Sequence, residues 1–270
     1  MMSDIEQDNT TPSSVADYIL VALDASAHSE AALAAAVELA AAMQMELRGL
    51  FVEDINLLHL CGLPFGLEIG SFTAKAQRLE RVNVEREFRV QAAHLRKIMA
   101  DVAGQRRINW SFEVVRGAVT AQVLAAATSA TMVSIGRVGR SPVKAIGSTV
   151  RAVMQHTQQP VVIQTANRRL GGPYTIVYTG SAAARNALAL AANLASHEAT
   201  ALGIWLADDV VALDDNALQT IAQPEYSVHR VHERLALAAE LSQIANGTVV
   251  LPLEVAHLFE SIRVTTIVVP

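Results

Sequence analysis

Short apolar runs alternate with longer stretches in which alanine and leucine recur at helical spacing. YILVALD (18–24) has β-branched members and ends at an aspartate, and EAALAAAVELAAAM follows it as an amphipathic helix. Ser26, just before that helix, is placed to act as its N-cap. ELRGLFVED (46–54) predicts a strand, and the next stretch, INLLHLCGLPFGLEIGS (55–71), predicts a long loop with a functional or interface role. A long helix is expected from about Phe72 to Val102, its charges of both signs forming a solvated face. WSFEVVRG (110–117), TMVSIG (131–136) and PVVIQT (160–165) predict three more strands, separated by helices at 120–129 and 150–157. This β-α alternation predicts parallel strands covered on both faces, a doubly wound α/β sheet of five strands.

After the Gly/Pro/Arg-bearing linker ANRRLGGP (166–173), the pattern restarts. YTIVYTGSAAARNALALAANLA repeats the strand-turn-helix layout of YILVALDASAHSEAALAAAVELA, and the final TTIVVP resembles PVVIQT. Between them come strands at 201–209, 225–231 and 247–252, a short mixed stretch near 210–224, and helices in ERLALAAELSQIA and LEVAHLFESI. We read an internal duplication: a tail at 1–16, a first domain at 17–167 and a second, shorter and degenerate one at 173–270. The tail, rich in Ser, Thr, Asp and Asn, is expected to be flexible.

Composition narrows the function classes. Of 270 residues, 51 % are hydrophobic and only 17 % charged, so the chain can bury a sizeable core. About one residue in six is alanine, which favours helices packed closely on a sheet. A net charge of −5 and 4 % aromatics argue against a nucleic-acid partner. Cys61 is the single cysteine, which rules out an intramolecular disulfide and argues against a cysteine-based zinc site. The polar, acidic N-terminus is unlike a signal peptide, and no apolar run suits a membrane span, so a cytoplasmic protein is expected.

Ligands of doubly wound sheets bind beyond the carboxyl ends of the strands, near the point where strand order reverses. Asp24 ends the first strand there, and Val52, Glu53 and Asp54 end the second. GRVGRSPVKAIGST (136–149) follows the fourth strand and leads into a helix. Gly136 and Gly139 let backbone amides approach a ligand, and Gly147, Ser148 and Thr149 open a helix whose first amides suit phosphate. Arg137, Arg140 and Lys144 add positive charge to the same loop. The loop is neither a P-loop nor a dinucleotide fingerprint, because no Gly-Lys-Ser/Thr is present and the glycines follow the fourth strand.

VALDASAHSEAALAAAVELA, ELRGLFVED and IGRVGRSPVKAIGSTVRAVMQHTQQPVVI give the first copy its resemblance to the universal stress proteins, in a tandem two-domain form. Family members that bind ATP carry Gly-x-x-Gly, nine residues, then Gly-Ser/Thr. Here Gly136 and Gly139 are followed by seven residues and then Gly147-Ser148-Thr149, a loop two residues shorter. The resemblance implies a sheet like that of the adenine nucleotide alpha hydrolases. It implies that Ala22, Leu23 and Asp24 lie by adenine or ribose, that Val52 lies beside the base, and that Gly136, Arg137, Gly139, Arg140, Gly147, Ser148 and Thr149 hold the phosphates. It further implies ATP, ADP or AMP as ligand, with Mg2+ as an accompanying ion, a stress-response regulator as the function, and pairing of the two copies through their last strands as a pseudo-dimer, with a homodimer or an unknown protein as further partners. The second copy matches in layout only: Tyr178-Thr179-Gly180 stands where Leu23-Asp24-Ala25 stands, and no glycine loop follows GTVVLP.

Blander readings stand beside these. Asp24 suits a turn, Ser148 a helix cap, and Arg137, Arg140 and Lys144 a solvated surface. His28, His59 with Cys61, and His229 with His232 suit surface or core better than a ligand set. No nucleophile with a supporting base is visible, so an enzyme is not expected, slow ATP hydrolysis being a weaker third reading. The second reading is a nucleotide-free interaction module that docks a partner through its sheet edges and residues 55–71.

Overall fold

The computed structural model describes residues 17–61, 63, 67–69, 76–78, 80–139, 146–207, 210, 212–221, 225–231 and 234–270. The tail expected at 1–16 lies outside them. The first half contains β1 (Tyr18–Leu23), α1 (Ala27–Met43), β2 (Glu46–Asp54), α2 (Ile55–Leu60), β3 (Leu67–Ile69), β4 (Ala76–Arg78) and α3 (Arg81–Arg106). It continues with β5 (Trp110–Gly117), α4 (Val119–Ala127), β6 (Met132–Gly136), α5 (Ser148–His156) and β7 (Val161–Gln164). The second half contains β8 (Tyr174–Tyr178), α6 (Ala182–His197), β9 (Leu202–Leu206), α7 (Asp215–Thr220) and β10 (Tyr226–Arg230). It ends with α8 (Arg234–Ser242), β11 (Thr248–Pro252), a 3-10 helix (Leu253–Ser261) and β12 (Thr265–Val269).

Ten strands form one sheet in the order β10-β9-β8-β11-β12-β7-β6-β1-β2-β5. Within each half the strands are parallel, and numbered by their own sequence they follow the same order, 3-2-1-4-5. The halves meet at β7 and β12, which pair antiparallel with Ile163 opposite Thr266 and Val161 opposite Val268. The carboxyl ends of the strands therefore point to opposite rims of the sheet in the two halves. The edges of both closing strands are used up by this pairing, so they offer no surface to a separate partner.

Each face of the sheet carries one apolar layer, and both layers run across the seam. Val162 and Ile267 join the layer under α1, α3 and α6. Val161, Ile163 and Val268 join the layer under α4, α5 and α8. The alanine excess has its use in the first layer: Ala32, Ala36 and Ala40 of α1, and Ala184, Ala187 and Ala191 of α6, are buried against the strands. Small side chains let these helices lie flat on the sheet.

Polar groups fasten the seam. Gln164 is fully buried; its Nε2 donates to the Arg168 carbonyl at 2.6 Å and its Oε1 accepts from the Thr265 hydroxyl at 2.9 Å. The linker is tied down as well. Arg168 Nη1 donates to the Ala245 carbonyl at 2.8 Å, and the Gly172 amide to Glu198 at 2.9 Å.

Three local expectations are corrected. Residues 55–60 are helical rather than loop, because the Asp54 carboxylate caps the Asn56 amide at 2.9 Å and Leu58 is buried. The long helix starts at Arg81, later than expected, because β4 pairs antiparallel with β3 just before it. LEVAHLFESI forms a 3-10 rather than an α-helix. No helix among the described residues is long and apolar enough to cross a membrane.

The seam clasp gives a direct test. Gln164→Leu removes the acceptor of the buried Thr265 hydroxyl and the donor to the part-buried Arg168 carbonyl, so stability should fall by about 1–3 kcal/mol in urea denaturation. An unchanged midpoint would contradict that role.

Candidate functional site

A cleft of about 510 Å3 opens at the carboxyl ends of β1, β2 and β6, beside the switch point between β1 and β6. Of the residues singled out from the sequence, Ala22, Leu23, Asp24, Val52, Gly136, Gly139, Gly147, Ser148 and Thr149 all line it.

The β1–α1 turn forms one wall. Asp24 Oδ1 accepts the Ser26 amide at 3.0 Å, Ala25 takes a left-handed φ of 59°, and Ser26 Oγ caps α1 by accepting the Ser29 amide at 3.2 Å. Asp24 is thus the turn residue of the blander reading. Among the described residues its Oδ2 has no hydrogen-bond partner, and it sits 3.0 Å from where a Cβ on Gly139 would stand. Gly136 is forced by contact: a Cβ there would meet the His28 backbone at 2.7 Å, where β6 crosses the start of α1. His28 serves this crossing, its Nδ1 accepting the Ala166 amide at 3.0 Å.

The opposite wall is made by two helix starts. Side chains cap α1, α2, α6 and α7, whereas α4 and α5 begin at Ala118 and Gly147 with no side-chain cap bond. The first amides of α5 therefore face the cleft without a helical acceptor and with the positive end of the helix dipole behind them. Gly147 is held by its own amide, which donates to the Arg137 carbonyl at 3.0 Å. The hydroxyls of Thr120 and Thr149 lie 3.1 Å apart and tie α4 to α5.

Arg137 does not join the cleft. Its side chain turns to the second half, where Nη1 donates to the Ile262 carbonyl and Nη2 to the Glu260 carbonyl at 2.9 Å, over the Phe259 ring. Burial lowers the pKa of this guanidinium, against an opposing pull from Glu260. Arg140 and Lys144 lie outside the described residues, so the cleft's positive potential among described groups comes from backbone amides. Glu53 also faces away, paired with Arg116 at 2.7 Å, while Asp54 lines the cleft. The contribution of α4, through Ala118, Val119 and Thr120, was missed in the sequence. Its signal was Gly117, which ends a strand just before a helix start.

The remaining candidates serve structure. Cys61 Sγ donates to the Leu57 carbonyl at 3.3 Å, and His229 pairs with Glu240 at 3.0 Å beside Trp205. His232 lies outside the described residues. Among the described residues no group of three or more His, Cys, Asp or Glu side chains could hold a metal.

In the second half the matching place is filled from within. Gly180 takes a left-handed φ of 78° where Ala25 has 59°, and Ser181 caps α6 as Ser26 caps α1. Instead of a glycine loop, β11 runs straight into the 3-10 helix, and Glu254 reaches back to the β8–α6 turn. Its Oε1 lies 2.5 Å from the Thr179 hydroxyl and accepts from Ser181 Oγ. Burial would push this carboxyl up, but the hydrogen bonds from Ser181, Thr179 and its own backbone hold it below the usual 4.5.

The universal stress protein family model matches residues 17–164. No curated protein is significantly similar to the chain. Among solved structures, a universal stress protein from Archaeoglobus fulgidus is similar over 94 % of this chain and 96 % of its own, at 17 % identity and TM-score 0.68. A protein of unknown function from Pseudomonas aeruginosa matches 94 % of this chain and 92 % of its own, at 12 % identity and TM-score 0.56. A putative universal stress protein from another strain of that species matches 94 % and 93 %, at 12 % identity and TM-score 0.54. At these identities the likeness speaks for the fold, and it extends over both halves.

Two variants check the turns. Ala25→Gly relieves the left-handed backbone and should raise stability by up to about 1 kcal/mol, read as a higher denaturation midpoint. Glu254 has a depressed folded pKa, so its stabilisation is present above the usual 4.5 and is lost as pH falls through the folded value. Glu254→Gln should therefore flatten the loss of stability below that pH, and an unchanged acid profile would count against the contact.

Proposed function

We propose that this chain, which belongs to the universal stress protein family, binds an adenine nucleotide in the cleft at the ends of β1, β2 and β6 and works as a nucleotide-responsive regulator. The observation that carries this reading is the uncapped start of α5 at Gly147, set in the cleft opposite Asp24. Unpaired amides at a helix start suit phosphate. The Asp24 oxygen that has no hydrogen-bond partner among the described residues suits a ribose hydroxyl, whose hydrogen bond a carboxylate accepts. Apolar Val52, Leu50 and Ile135 on the floor suit a base. The volume of about 510 Å3 suits a ligand of that size.

The division of labour is part of the proposal. Residues 17–167 make the binding unit, and residues 173–270 a non-binding partner whose equivalent place is taken by Glu254. Mg2+ enters with the nucleotide phosphates rather than on a resident protein cluster. Asp24 and Asp54 are the carboxylates of the described lining, and that described lining holds no His or Lys. This favours a binder over an efficient hydrolase.

Calorimetric titration with ATP, ADP and AMP tests the reading. Saturable binding is expected for at least one of them. Gly147→Val should abolish it while leaving the fold intact, since the nearest atom to a Cβ there is 3.7 Å away. Asp24→Asn should weaken it by about tenfold, the scale of one charge-assisted hydrogen bond. Absence of heat and of thermal shift at millimolar nucleotide would overturn the proposal.

A further inference from the structure

A second cavity, of about 730 Å3, lies at the seam between the halves. Arg137, Thr165 and Arg168 line it from the first half and the linker, and Glu260, Ser261 and Arg263 from the second. It sits at the rim where the carboxyl ends of the first half's strands meet the amino ends of the second half's, separate from the nucleotide cleft.

Its charge is unbalanced. Arg137 and Arg168 donate to backbone carbonyls, of Glu260 and Ile262 and of Ala245 respectively. Carbonyls satisfy the N–H groups but leave the positive charge in place. Arg263 is exposed and has no side-chain partner among the described residues. The lining holds one carboxylate, Glu260, and Arg151 from outside the cavity already pairs with it at 3.0 Å. Three guanidinium groups thus converge in a chain whose net charge is −5.

We infer that the seam cavity is an anion site for a small phosphorylated molecule, gripped by Arg168 and Arg263 with Arg137 at its back. Phosphate is the chemistry favoured, because guanidinium forks match its oxygens and two negative charges answer the excess. The cavity has room for an organic portion beyond the phosphate. Arg137 also gives the site a route to the cleft: its side chain backs the seam while its carbonyl holds the Gly147 amide at 3.0 Å. The site stands whether or not the cleft binds adenine nucleotide.

The test is a titration of the isotope-labelled full chain with inorganic pyrophosphate, followed by amide NMR. Saturable shifts are expected at Thr165, Ser261 and Arg263, and they should persist in Gly147→Val, which disables the cleft. Arg263→Glu, at an exposed position that the fold tolerates, should weaken this binding by at least about tenfold. Shifts confined to 136–139 and 147–150 would place the anion in the cleft alone and overturn the inference. So would an Arg263→Glu variant with unchanged affinity at the seam amides, or shifts that never saturate.

Discussion

The antiparallel pairing of β7 with β12 is the constraint on which the rest of the molecule depends. Each half ends its sheet on a short apolar strand, and such an edge is a template for pairing. Joining the two removes both liabilities and makes one ten-stranded sheet. It lets both apolar layers run through without a break, so the halves share their cores instead of merely touching. It also inverts the second half, which sets the helix start of one half's cleft against the 3-10 helix of the other. Gln164, Thr265 and the linker carbonyls hold that arrangement from inside.

One repeat kept an open cleft and the other closed it, although their first turns are alike. Both turns pass through a left-handed residue, Ala25 or Gly180, and both then cap a helix with serine. The divergence lies after the fourth strand. In the first half a glycine-bearing loop leads to α5 and leaves its opening amides uncapped. In the second, β11 passes directly into the 3-10 helix, and the Glu254 carboxylate accepts the hydrogen bonds of the turn's hydroxyls, Thr179 and Ser181.

Much of this was legible in the sequence, and the remainder fails for identifiable reasons. Glu46–Asp54 follows from its apolar pattern, and the Ser26 cap from its position before the alanine-rich helix. The gathering of Asp24, Val52, Gly136, Gly139 and Gly147 follows from the rule that strand ends meet at a switch point. The direction of Arg137 does not follow. Its neighbours in sequence are loop residues, and its partners Glu260 and Ile262 lie more than a hundred positions away. Glu254 is hidden in the same way, since nothing local announces Thr179 and Ser181 as its partners. The sequence reads the short α2 and β3 as loop and β4 as part of the long helix, because so few residues carry no clear period.

The linker has a further consequence. Residues 165–173 carry both halves on one chain, so the seam forms within a molecule rather than between two. Its occupancy is then set by an effective local concentration and does not depend on how much protein the cell contains. A noncovalent pair of similar halves would come apart on dilution, and covalent pairing removes that dependence. The second half can specialise in presenting β12, and assembly stays complete even when the protein is scarce.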